Sequence, residues 1–286
     1  MSSSIFLIGS GYLSNYIINE ISNRNHNYLV SEISRTKKNR SMNISSIQAD
    51  LDDKKLILPT MTNSKIIYMA PPSTISLEDE RLKNFIFKIK NNSISQIIYI
   101  STSGVYGNCM GKVVNEFTST NPITDRAKRR VAAENLLTKY CALSNVKLII
   151  LRVPGIYGKG RLPLKRVIDR EPLIEIEESR TTNLIHVKDL ANITIDALEL
   201  ESSFEIINVS DGAPIKTTQY YLSIYKELNM VNPKFITYSE ALETYSEKRL
   251  SFLKESRILD TTKMKKILPG CIKYKNIEDG VRESLA

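Results

Sequence analysis

The chain has 286 residues, 42% of them hydrophobic, enough for a full core in one large domain or two small ones. No apolar run reaches bilayer length and the first residues pass straight into a strand-like run, so neither a membrane span nor a secretory leader is expected. Three cysteines without metal-type spacing and two histidines predict a reduced, cytoplasmic protein without a metal; the net charge of +9 is dispersed, so it points to small anionic ligands such as nucleotides and away from nucleic acid.

Ile5-Phe6-Leu7-Ile8 predicts a buried first strand that runs into Gly9-Ser10-Gly11-Tyr12-Leu13-Ser14. Apolar positions then recur at Leu13, Ile17, Ile18 and Ile21. Strand, tight turn and amphipathic helix make a dinucleotide pyrophosphate site. Gly9 allows the turn and Gly11 lets backbone approach the phosphates. Ser10, Tyr12 and Leu13 complete the turn, and the helix N-terminus adds N–H groups and a positive dipole end. Ser14 stands where a third glycine is usual.

A second strand is predicted from Tyr28 to Ile33, ending at Ser34-Arg35. In dinucleotide folds this strand end meets the adenosine ribose. An acid there binds the 2′-OH of NAD, whereas an arginine pairs with the 2′-phosphate of NADP. Arg35 and the basic run through Arg40 favour NADP; Glu32 nearby keeps NAD open.

Ile47 to Leu51 reads as a short third strand whose Asp50 and Leu51 meet the adenine. A fourth strand begins at Lys65 and is stopped by Pro71-Pro72, with Ala70 and Pro71 along the cofactor. A helix with a stripe at Leu82, Phe85, Ile86 and Ile89 is predicted from Glu78 to Asn91. Ile97 to Ile100 is a fifth strand and Lys147 to Val153 a sixth. This alternation predicts an α/β fold, a doubly wound parallel sheet with ligands at the carboxyl ends of its strands.

Several landmarks together resemble the extended and atypical short-chain dehydrogenase/reductases, the family of NAD-dependent epimerases and dehydratases. They are Gly9-x-Gly11, Asp50-Leu51, Ser101-Thr102-Ser103-Gly104-Val105-Tyr106-Gly107 and Leu151-Arg152-Val153-Pro154-Gly155-Ile156-Tyr157-Gly158. Asn183-Leu184-Ile185-His186-Val187-x-Asp189-Leu190-Ala191 and Ile207-Asn208-Val209 continue the match to about residue 210. The resemblance implies a Rossmann domain over residues 1–158, completed by about 183–209. A small substrate-binding part takes 159–182 and 210–286. It implies that Thr102 hydrogen-bonds the substrate's reacting oxygen. Ser101, Val153, Pro154 and Gly155 then run beside the nicotinamide, and His186 is structural.

One departure from the family is sharp. Its active site uses Tyr-x-x-x-Lys on the helix after the fifth strand, and no such spacing occurs in this chain. Counting back from Glu134 places the tyrosine position on Arg126 and the lysine position on Arg130. A guanidinium is always charged, so Arg126 suits an anionic group and not proton transfer, while Arg130 suits ribose hydroxyls.

Three functions are consistent with these residues. One is an NADP-binding oxidoreductase that transfers hydride to a small, anionic substrate without the tyrosine, with NAD as the other possible cofactor. Another is a sugar-nucleotide epimerase or dehydratase in which Tyr106 or Tyr157 replaces the acid/base. The third is a cofactor-binding redox sensor without turnover. Beyond His186, helices are predicted over Asp189–Leu200, Pro214–Leu228 and Ser239–Leu250, with a strand over Glu205–Val209. Either a monomer or a homodimer is expected, because the four cations of the 126–130 segment would repel their symmetry mates.

Overall fold

Strand β1 (Ser4–Ile8) lies between β2 (Leu29–Ser34) and β4 (Ser64–Tyr68), parallel to both, with Ile8 level with Ile33 on one side and Tyr68 on the other. The structure, a computed structural model, describes residues 4–24, 28–40, 44–247, 249–250 and 255–286. It divides into two compact units. The first comprises Met1–Val105, Pro122–Arg152 and Leu190–Ile207; the second comprises Tyr106–Asn121, Val153–Asp189 and Asn208–Ala286.

The first unit is built on a seven-stranded sheet. To β1, β2 and β4 it adds β3 (Ile44–Gln48), β5 (Ile94–Thr102), β6 (Lys147–Val153) and, past the shorter β7 and β8 introduced below, β9 (Phe204–Asn208). The order is β9-β6-β5-β4-β1-β2-β3, the reversal at β1 being that of a doubly wound sheet. Both faces are covered, so the central strands read as apolar runs without alternation. Ile5, Leu7, Ile8, Ile66, Ile67, Ile98, Ile149 and Ile150 are all fully buried.

Three helices of this unit follow their sequence signals. Helix α1 (Tyr12–Asn23) buries Leu13, Ser14, Ile17, Ile18 and Ile21, the predicted stripe with Ser14 in it. Helix α2 (Glu80–Ile89) buries Leu82, Phe85, Ile86 and Ile89, and Asp79 caps it by accepting from the Leu82 N–H. Helix α3 (Asp125–Ser144) ends on Asn145 in the left-handed region, φ 53°. Its buried stripe is thin, at Ala127, Ala133, Glu134, Leu137 and Cys141.

Some boundaries differ from expectation. Strand β3 begins three residues earlier than predicted, so Asp50 and Leu51 follow it in a turn that Asp50 closes by accepting from the Asp52 N–H. Helix α5 (Val187–Asp196) is shorter than predicted, because its last turn tightens to a 3₁₀ turn at Ala197–Glu199.

In the second unit β7 (Gly155–Tyr157) pairs in parallel with β8 (Leu184–His186). Helix α4 (Leu164–Ile168) lies beside α6 (Thr217–Glu227), which packs on α9 (Ile277–Leu285). Between them sits a core of Tyr157, Leu162, Val167, Tyr220, Tyr221, Ile224, Tyr225 and Val281. Helix α7 (Tyr238–Thr244) covers the first part of the helix predicted from Ser239, and Lys248 lies outside the described residues. Helix α8 is Thr262–Ile267. Segment Ile258–Leu259 pairs in parallel with Val113–Val114.

Candidate dinucleotide and active site

Gly9 ends β1 with φ +97°, a conformation costly for any other residue. A β-carbon there would fall 2.7 Å from the Ala70 nitrogen, so the turn is pressed against the backbone that leaves β4. Two bonds hold it. The Gly9 N–H donates to the Ile33 carbonyl, and the Met69 N–H donates to the Ile8 carbonyl. Ala70 is small and buried for this reason.

Gly11 has a different reason to be glycine. Its φ is −105°, open to any residue, yet beyond its chain neighbours a β-carbon on it would meet none of the described atoms within 4 Å. It stands as N-cap of α1 without a side-chain cap. Bare backbone, open space and a helix N-terminus together form a cradle that fits a pyrophosphate. The Ser14 hydroxyl donates to the Gly11 carbonyl, which is how a serine is accommodated in the third position.

The end of β2 is more intricate than the sequence suggested. Arg35 is exposed, and Ser34 turns its hydroxyl onto the Thr36 carbonyl. Glu32 is fully buried. Its carboxylate accepts from the Ser10 hydroxyl at 2.8 Å and from Arg40 Nε and Nη2 at 2.9 and 2.7 Å. Burial works against that charge, but the bonds from Arg40 and Ser10 prevail and hold the carboxyl below its ordinary range. Arg40, expected as one charge of a basic loop, is instead a half-buried partner of Glu32, close to the glycine turn. Asp50 is exposed, Leu51 and Ala70 are buried, and Pro71 is exposed, its carbonyl accepting from Arg81.

At the end of β5, Ser101 is buried and donates to Glu134 on α3. Glu134 is paired in turn with Arg152 of β6 at 2.7 Å, both side chains about 5% exposed. Ser101 is thus committed to fixing α3 on the sheet. Thr102 is half-buried, and its oxygen accepts from the Gly104 N–H at 3.2 Å.

The two arginines of α3 part company. Arg126 is exposed in the first turn. One turn on, Arg130 Nη1 donates to the Tyr99 hydroxyl and to the Ile100 carbonyl, each at 3.0 Å. Burial, tempered by Arg130, pushes the Tyr99 phenol up to about 12. Near these groups the Tyr68 hydroxyl and Asp79 Oδ2 are buried and have no hydrogen-bond partner among the described residues.

The remaining candidates lie in the second unit. Tyr106 is buried and donates to Asn208 Oδ1 at 2.7 Å. The Tyr157 hydroxyl is buried with no hydrogen-bond partner among the described residues, and burial, with Asp211 and Asp189 nearby, drives its pKa far up. Val153 is buried, Pro154 is half-buried, and Gly155 is exposed. His186 is fully buried, its Nδ1 accepts from the Lys188 N–H, and its Nε2 lies 2.8 Å from Glu283 Oε2. Desolvation lowers this imidazole to about 4 despite Glu283. A neutral histidine tying α9 to β8 is a structural element.

The sequence reading did not single out Asn15 or Asp79, and it used Glu134 and Arg152 as landmarks without pairing them. Glu32 it did name, 21 residues past Gly11, at the spacing of a ribose-binding acid.

Comparison with known proteins agrees with this geometry. The model of the NAD dependent epimerase/dehydratase family matches residues 5–210. Human dTDP-D-glucose 4,6-dehydratase is 21% identical over 256 residues, covering 77% of this chain and 73% of its own. A functionally unknown conserved protein from Silicibacter pomeroyi superposes with a TM-score of 0.81 at 21% identity, covering 99% of this chain and 98% of its own. UDP-glucuronic acid 4-epimerase from Bacillus cereus, solved with NAD, superposes with a TM-score of 0.75 at 16% identity, covering 98% and 96%. With the glycine turn, the sheet order and a family match over more than half its length, the chain belongs to the NAD-dependent epimerase/dehydratase family.

Proposed function

We propose that the chain holds a nicotinamide dinucleotide, with a preference for NADP, on the Gly9–Leu13 turn. It uses it for hydride transfer with an anionic substrate of the sugar-nucleotide class, without a phenolic proton relay. The carrying observation is the glycine turn, with Gly9 pressed on Ala70 and Gly11 facing open space. The substrate class rests on relatives whose names state dTDP-glucose and UDP-glucuronic acid.

When bound, the dinucleotide supplies a hydride donor or acceptor. The chain's own residues would do the rest. Gly9, Ser10, Gly11, Tyr12 and Leu13 wrap the pyrophosphate. Ser34 and Arg35 take the 2′-phosphate, and Asp50 with Leu51 flanks the adenine. In the first unit Ala70, Pro71 and Ser101 are cofactor-contact candidates, and in the second Val153, Pro154 and Gly155 are candidates for the nicotinamide half. Thr102 donates to the substrate oxygen whose carbon changes oxidation state, and its proton is replaced from water. Arg126 pairs with substrate negative charge, and Arg130 keeps Nη2 and Nε for the ribose.

A second reading, a dinucleotide-binding sensor without turnover, draws on a specific observation. Tyr99, Tyr106 and Tyr157 are all buried, which supports a site without a phenolic acid/base.

The test is calorimetric titration with NADPH and NADH, then with UDP- and dTDP-sugars on the dinucleotide complex. The proposal expects NADPH to bind more tightly and a sugar nucleotide to add to the complex. Absence of any dinucleotide binding would overturn it.

A further inference from the structure

The Glu32–Arg40 pair occupies the place that decides between the two dinucleotides. Three facts locate it. Glu32 lies on β2 level with Leu7 of β1, two residues before the strand end. It takes the hydroxyl of Ser10, the middle residue of the glycine turn. Arg40 reaches across from the following loop and also bonds Asn15 Oδ1, at 2.9 Å, in the first turn of α1.

A free carboxylate at this strand end receives the 2′- and 3′-hydroxyls of an adenosine ribose and repels a 2′-phosphate. Here the carboxylate has none of that freedom. Arg40 holds it in a two-pronged grip, and Ser10 takes a further lone pair. The charge is neutralised in place, with the Arg40 side chain 17% exposed at the rim. Arg35 is exposed three residues beyond Glu32 and, among the described residues, makes no side-chain bond. A site that would otherwise read as acidic is left with a net positive rim.

We propose that Arg40 is the residue that sets dinucleotide choice, by cancelling Glu32 so that the 2′-phosphate of NADP is accepted and the ribose diol of NAD gains no acceptor. The inference rests on the dinucleotide reading above. It adds that selectivity comes from the state of Glu32 and not from Arg35 alone.

The test is a two-residue cycle read by equilibrium binding of NADP⁺ and NAD⁺ to the full chain, with thermal melts of each variant. Arg40→Ala frees Glu32. We expect NADP⁺ affinity to fall about ten- to a hundredfold while NAD⁺ affinity holds or rises. Adding Glu32→Gln to Arg40→Ala removes the freed charge and should recover much of the NADP⁺ affinity, though not the NAD⁺ gain. That double variant buries no unpaired charge, so it keeps the test valid if Arg40→Ala alone melts. Three results would overturn the proposal: equal losses for both dinucleotides in Arg40→Ala, a double variant no better than the single, or a double variant with unchanged selectivity where the single does not fold. A wild-type chain that binds neither dinucleotide would overturn the functional reading as well, and so is told apart from a failure of this proposal alone.

Discussion

Arg130 Nη1 lies 3.0 Å from the Tyr99 hydroxyl, and the guanidinium carbon sits 5.5 Å from the ring centroid of the same tyrosine. Arg130, which the count back from Glu134 sets at the expected lysine position, is therefore anchored on β5. A hydrogen bond to a charged group is worth about 1.5–3 kcal/mol. Tyr99→Phe should thus lower stability by about 1–3 kcal/mol in urea melts, and Arg130→Met by more, because it also leaves the Tyr99 hydroxyl buried and unpaired. A Tyr99→Phe chain as stable as wild type would show that the bond contributes nothing.

The two glycines of the turn should fail in different ways. Gly9→Ala puts a β-carbon 2.7 Å from backbone at φ +97° and should destabilise the fold by about 1–3 kcal/mol. Gly11→Val meets open space at an ordinary φ, so its melting temperature should stay near wild type. Its dinucleotide affinity should nonetheless fall at least about a hundredfold, because the side chain fills the pyrophosphate cradle. Melts and titrations on the same samples separate the two.

Burial raises the Asp211 carboxyl to about 7, against the bond it accepts from the Ala213 N–H and with Asp189 adding to the rise. The folded pKa lies above the unfolded value near 4. The protonated form is therefore favoured in the folded chain, and stability is greatest at low pH with respect to this group. That contribution is lost as pH rises from about 4 through about 7. Asp211→Asn should flatten this part of the stability profile and melt higher than wild type at pH 8. Parallel profiles for the two proteins would contradict the assignment.

Glu134 and Arg152 are both buried, and Ser101 completes the set. Removing one charge of a buried pair costs about 3–5 kcal/mol, because the other is left uncompensated. Arg152→Met should be strongly destabilising, whereas Ser101→Ala should cost about 1 kcal/mol. A small loss in dinucleotide affinity for Ser101→Ala at unchanged stability would instead mark it as a cofactor contact.

How far these features were readable in the sequence depends on their range. Gly9 and the stripe of α1 were legible because a turn and a helix are local patterns. Strand β3 was misplaced by three residues because Ser45 and Ser46 dilute its apolar signal, while Asp50-Leu51 looked like a strand end. Helix α9 was not foreseen. Asn276 caps it, but Gly280 in its middle reads as a helix breaker. That glycine is demanded by packing, since a β-carbon would fall 2.0 Å from the Tyr157 hydroxyl. Arg40 looked like any lysine-loop cation, and only the fold brings it to Glu32 and Asn15. Arg130 stood out in the sequence only by its spacing from Glu134, and its partners on β5 lie 30 and 31 residues away.

The most direct measurement of hydride transfer without a phenol is isotope transfer from NADPH deuterated at C4, followed across pH with UDP- and dTDP-sugars. The account predicts deuterium on a sugar carbon and a rate without a tyrosine-type ionisation on the basic side. It also predicts that Thr102→Ala lowers the rate about tenfold or more at near-normal NADPH affinity, whereas His186→Gln changes stability alone. Tight NADPH binding without deuterium in any sugar would contradict it and leave the sensor reading. A keto-sugar formed without net cofactor turnover would replace it with epimerase or dehydratase chemistry.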